Sequence, residues 1–118
     1  MAKSRLPNPL ERRHLIEREI PPAQALRIAV AYLEEGRAVE SLEFLRKADA
    51  RDRLTELRRE AIEGGDAFLM RGVAVASGEP ATREEWQALA EAASAAGKLH
   101  YAEEARRQTQ RGKAGREE

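Results

Sequence analysis

Glu11 and His14 stand three residues apart, a spacing that puts a carboxylate and an imidazole on one face of a helix. Helix bundles that hold carboxylate-bridged metal pairs use this Glu-x2-His arrangement twice, with two further carboxylates. The other histidine is His100, and the residue three before it is Gly97, so the second copy is missing. No metal site is expected, and both histidines read as surface or edge residues. The chain has no cysteine, which excludes disulfides and thiolate ligands. Gly64-Gly65 lacks the lysine and hydroxyl residue of a phosphate-binding loop. No nucleophile elbow is present. Carboxylates are abundant, but none lies in an obviously buried context that would retune its acidity. The expectation is a protein that is not an enzyme and takes no cofactor.

Cationic residues gather near both ends. Residues 1–20 carry a net +2 and residues 106–118 a net +3, leaving −5 on residues 21–105. The whole chain sums to zero, which argues against a dedicated nucleic-acid binder. Ala93-x3-Gly97 fits a helix-turn-helix corner. The following helix, however, places Glu103 and Glu104 where phosphates would have to approach. Arg106, Arg107, Arg111, Lys113 and Arg116 leave two readings. One is a nucleic-acid-associated protein, or one touching a membrane surface, through this segment. The other is a solvated helix end, whose dipole favours cations.

Those residues must be positioned by helices. Apolar residues make up 42% of the 118-residue chain and aromatic residues only 4%, so the core is expected to be alanine-rich and closely approached. Charged residues reach 36%, well above the usual quarter. The length suits one domain. No apolar run reaches the roughly 18 residues of a membrane span. The N-terminal stretch has basic residues without an apolar region behind them, so a cytoplasmic protein without membrane contact is expected. Arginine and alanine usage fits a GC-rich bacterial genome.

Punctuation divides the chain. A loose start leads to a short helix over Leu10–Glu19, ended by Pro21-Pro22. Ala23–Glu35 and Arg37–Ala48 follow as helices, the second with Val39, Leu42 and Leu45 as its inner stripe. Asp49 or Asp52 is expected to cap a helix over 51–63, with Leu54, Leu57, Ala61 and Ile62 inward. Asp66 caps the next, Ala67–Ser77, which is apolar nearly all round and is therefore expected at the centre of a stack. Thr82 and Glu85 form a capping box for a helix to about Ala96. A last helix spans about Lys98–Arg111, with a disordered polar tail over 112–118. No strand pattern competes.

Gly36, Gly65 and Gly97 each separate two helices, at intervals of 29 and 32 residues. Four residues before them stand Tyr32, Ala61 and Ala93; eight before, Ile28, Leu57 and Leu89; eleven before, Ala25, Leu54 and Trp86; five after, Ser41, Met70 and Ala102. Intervals of this size mark stacked helical repeats. The third unit, Trp86-x2-Leu89-Ala90-x2-Ala93-x3-Gly97-x-Leu99-x2-Ala102, resembles a tetratricopeptide repeat. The first, Ile28-Ala29-x2-Tyr32-x3-Gly36-x4-Ser41-x3-Leu45-x2-Ala48, is similar. The middle unit departs, with Arg58 at a normally small position and Ala74 at a normally larger one; Arg106 departs likewise in the third.

The resemblance implies an all-α, right-handed solenoid of about three helix pairs (22–48, 51–78 and 82–111) after an N-terminal extension over 1–21. It also implies a groove for segments of other proteins, lined by the first helix of each pair. Carried over by position, the groove comprises Leu26, Arg27, Val30, Leu33 and Glu34, then Thr55, Glu56, Arg59, Ile62 and Glu63, then Glu84, Gln87, Ala88 and Glu91. Leu26 and Val30 stand where carboxylate-clamping repeats carry lysine and asparagine, which disfavours capture of a chain terminus. The groove is apolar at one end and acidic at the other, and so suits a basic amphipathic segment. A solvated charged face is the plain alternative for any single glutamate. Leu26, Val30 and Leu33 want a cover. Leu10, Leu15, Ile16 and Ile20 of the extension, a second copy of the chain, or a partner protein are the three candidates.

Overall fold

Asn8 starts the first helix by accepting the Glu11 N–H at 2.9 Å through its side-chain oxygen, and Pro9 occupies a position where the missing N–H costs nothing. In this computed structural model the described residues are 6–116, with side chains described as far as Arg111. The element order is α1 (Pro9–Glu17), α2 (Pro22–Glu34), α3 (Ala38–Lys47), α4 (Arg51–Glu63), α5 (Ala67–Ser77), α6 (Arg83–Ala95) and α7 (Leu99–Arg116). The described residues are all-helical, without strands. None of these helices is long and apolar enough to cross a membrane. Residues 1–5, 117 and 118 lie outside the described set, as do the side chains of the expected tail over 112–118; the α7 backbone runs to Arg116, past the end expected at Arg111.

One backbone closure recurs. After α2, the Arg37 N–H reaches the Tyr32 carbonyl and the Gly36 N–H the Leu33 carbonyl. The same pair of bonds closes α4, through Asp66 to Ala61 and Gly65 to Ile62, and α6, through Lys98 to Ala93 and Gly97 to Ser94. This is the Schellman arrangement, which satisfies carbonyls a helix end leaves open. It also closes α3, where Asp49 takes the left-handed position at φ 52° and Ala50 donates to Leu45. Asp49 therefore ends α3 and does not cap α4, a correction to the expected cap; aspartate tolerates positive φ better than most side chains.

The chain gathers into two units, Met1–Leu54 and Thr55–Glu118, with the division inside α4. In the first, α2 and α3 pack together. Ala25, Ala29, Tyr32, Ser41, Phe44 and Leu45 are buried there. The Tyr32 and Phe44 rings stack with centroids 5.9 Å apart. Arg12 of α1 lies over both rings, at 5.6 and 5.7 Å, and donates to the Glu40 carbonyl at 3.0 Å. One arginine thus fastens α1 by cation–π attraction and a backbone bond. Val39, expected inside, is exposed. The buried arc of α3 is centred on Ser41 and Leu45, and Val39 falls beyond its edge at 100° per residue.

In the second unit α6 packs on α7, and α5 on α7. Leu57, Ala61, Ala67, Leu69, Met70, Val73, Trp86, Leu89, Ala93, Ala102 and Ala105 are buried. One inward expectation is corrected. Phe68 is 52% and Val75 81% exposed on α5, so this apolar helix turns one face to solvent, opposite Leu69, Met70 and Val73. Leu99 is exposed in the first turn of α7, while Ala102 and Ala105 face inward.

Candidate binding surfaces

On α2 the buried residues Ala25, Ala29 and Tyr32 hold one face, and the spacing of Leu26, Val30 and Leu33 sets them on another. Leu26, Val30 and Leu33 are half-buried, and Arg27 and Glu34 are exposed. Leu26, Arg27, Val30 and Glu34, with Gln24, Ile28 and Ala31, line a concavity of about 510 Å³. Its floor is apolar and its rim carries one charge of each sign. Leu33, assigned to the same groove, is not among its lining residues. Arg12 secures α1 at the Tyr32–Phe44 pair, and Leu10 remains 61% exposed.

The second unit carries its own concavity, of about 310 Å³, where α4 meets α6. Thr55, Arg58, Arg59, Ile62, Glu63 and Glu85 line it. Thr55, Arg59, Ile62 and Glu63 are the lining residues assigned to the groove from sequence. Glu56, Glu84, Gln87, Ala88 and Glu91, assigned with them, are exposed on the same two helices and lie outside this concavity.

Arg58 and Glu85 form the wall that sequence reasoning missed. The Arg58 guanidinium donates from Nε to Glu85 Oε2 and from Nη2 to Glu85 Oε1, each at 2.8 Å. It also donates to the Glu79 carbonyl at 2.9 Å and the Pro80 carbonyl at 3.0 Å. Glu85 Oε1 accepts the Thr82 N–H at 2.8 Å, and Thr82 Oγ1 accepts the Glu85 N–H at 3.1 Å, so the expected capping box is present. Hydrogen bonding to Arg58 holds the Glu85 carboxyl down at about 2, against the desolvation that would raise it. The same bond raises Arg58. An arginine at a position where the repeat pattern has a small residue is explained: it fills that place with a stem and uses its head to tie α4 to the α5–α6 connection. The signal in sequence was the departure itself.

At the other end of α4, Gly65 has φ 64°, and a Cβ there would lie 2.5 Å from the Ala93 backbone of α6. Lys98 donates to the Gly64 carbonyl at 2.7 Å. Glycine at position 65 is therefore required both by the turn and by the approach of a second helix.

His14, His100 and Glu11 are exposed, and Glu11 is engaged by its cap residue Asn8. Glu104, a possible partner for His100 one helical turn away, instead pairs with Arg71 of α5 at 2.7 Å. Among the described residues no group of three or more His, Cys, Asp or Glu side chains could hold a metal ion. No family model matches the chain, and neither a curated protein nor a solved structure matches it.

Proposed function

We propose that the protein is a non-enzymatic protein–protein interaction module, an adaptor, co-chaperone or assembly factor of the tetratricopeptide-like kind, working in a bacterial cytoplasm. It receives a helical or extended segment of another protein, best a basic amphipathic one. The observation that carries this reading is the α2 concavity: Leu26 and Val30, half-buried on the flank of the helix beside Ala25, Ala29 and Tyr32, floor a recess rimmed by Arg27 and Glu34. An apolar floor with a polar rim is what a docked helix face needs. The acidic end of the proposed groove is Glu56, Glu63, Glu84 and Glu91, all exposed. The stacked, right-handed arrangement of three helix pairs belongs to the same proposal, and the identical closures after α2, α4 and α6 support it.

The test is a photo-crosslinking side chain placed at Val30 and, in a control protein, at Val75. A discrete protein captured from Val30 and not from Val75 supports the assignment; equal capture from both sinks it. With that protein in hand, Glu63→Lys combined with Glu91→Lys is expected to weaken binding about tenfold or more with an unchanged melting temperature. Unchanged affinity removes the acidic end from the site.

A further inference from the structure

Three arginines and two glutamines share the outer surface of α7. Arg106, Arg107, Gln108, Gln110 and Arg111 line a concavity of about 450 Å³. At 100° per residue, Arg106, Arg107, Gln110 and Arg111 fall within an arc of about 140°, and all four are exposed. The inward side of the helix is Ala102 and Ala105. Arg106 is oriented by a 2.8 Å bond from its guanidinium to Ser94 Oγ of α6. Among the described residues no carboxylate forms an ion pair with Arg106, Arg107 or Arg111. Glu104, the nearest acidic side chain in sequence to Arg106 on this helix, is taken by Arg71. Glu103, one residue before it, lies one turn from Arg107 at the margin of the patch. The sequence adds Lys113 and Arg116 farther along the same helix.

We propose that this face of α7 binds the phosphodiester backbone of nucleic acid, without regard to base sequence. Its chemistry is planar, multi-donor and cationic, which matches phosphate oxygens in geometry as well as charge. It carries no aromatic side chain, so bases have nothing to stack on, and contact is restricted to the backbone. The zero net charge of the whole chain is unevenly spread: residues 106–116 hold five cations and no carboxylate, with Glu103 and Glu104 before them and Glu117 and Glu118 after, so the nearest field a strand meets at Arg107 and Arg111 is cationic. Protein capture by α2 and nucleic-acid contact by α7 use different elements, so either stands without the other.

The experiment measures anisotropy of a fluorescein-labelled oligouridylate and of a mixed-sequence duplex DNA, titrated with the full chain from low to physiological salt. Three phosphate contacts give an expected slope of log K against log salt of about −2 for the single strand and about −2.7 for the duplex. Arg107→Gln with Arg111→Gln should reduce those slopes by about 1.4 and 1.8 and lower affinity. Arg107→Lys with Arg111→Lys should keep most of the binding, which separates charge from folding. Arg53→Gln, at an exposed position of α4, should leave binding unchanged. No binding at low salt overturns the proposal, as does binding that the Gln pair leaves intact or that Arg53→Gln lowers equally. Binding to phosphatidylglycerol vesicles that exceeds binding to both oligonucleotides overturns it in favour of a lipid surface.

Discussion

Arg58 and Glu85 meet through two parallel bonds of 2.8 Å, 27 residues apart in sequence, and both belong to the wall of the α4–α6 concavity. Their side chains are only 14% and 25% exposed. Such a bidentate pair is stronger than a surface ion pair, and removing one partner strands the other. Arg58→Ala should destabilise the protein by about 2–3 kcal/mol, since it also frees the Glu79 and Pro80 carbonyls. The pH dependence has a definite sign. Glu85 is held at about 2 against an ordinary 4.5, so its contribution is complete above the ordinary value and is lost as pH falls from there toward 2. After discounting for its partial exposure, the loss is about 2 kcal/mol. Urea unfolding across this range should show the drop in the native protein and a flatter profile in Glu85→Gln. Equal profiles would mean that the pair contributes nothing to the fold.

Gly65 and Gly36 share a turn but not a neighbourhood. Both have positive φ, yet nothing lies within 4 Å of a Cβ built on Gly36, whereas one on Gly65 meets the Ala93 backbone at 2.5 Å. Gly36→Ala is expected to cost only the left-handed penalty of about 1–2 kcal/mol. Gly65→Ala adds overpacking, for a total of about 2–5 kcal/mol. Thermal unfolding of the two variants side by side checks the ranking, and near-equal losses would contradict the close approach of α6.

Arg12 carries most of the described attachment of α1, beside a 3.0 Å bond from Lys47 of α3 to the carbonyl of its C-cap residue, Arg18. Arg12→Ala removes two ring contacts and the bond to the Glu40 carbonyl, at a cost of about 1–2 kcal/mol. Hydrogen exchange should then quicken across residues 9–17 while α6 keeps its protection. Unchanged exchange in α1 would show that Leu15 and Ile16, both half-buried, suffice to hold it.

What could be read in advance was local or periodic. The capping box at Thr82 and Glu85, the stops at Gly36, Gly65 and Gly97, and the bounds of α4 and α5 need only neighbours in sequence. The core of α6, Trp86, Leu89 and Ala93, needs only a period. Leu26 and Val30 were legible as a separate flank because Ala25, Ala29 and Tyr32 lie together about 110° round the helix. Phe68 and Val75 misled because a helix that is apolar all round has no period from which to choose a face. On α3, counting from Val39 rotated the stripe away from Phe44, whose partner Tyr32 lies in another helix. Arg58 was visible as an anomaly, but its purpose depends on Glu85 and two carbonyls of a distant loop, and no local rule connects them.

The two attachments of α4 to α6, Gly65 against Ala93 at one end and Arg58 to Glu85 at the other, brace the recess between them like a mould clamped at both rims. If a polypeptide binds there as proposed, it would meet walls already set beside Arg59 and Glu63. Accommodation would fall to the guest, which would lose its own conformational freedom on entry. Discrimination there would rest on which guests can take the required shape, and the host would contribute little by yielding.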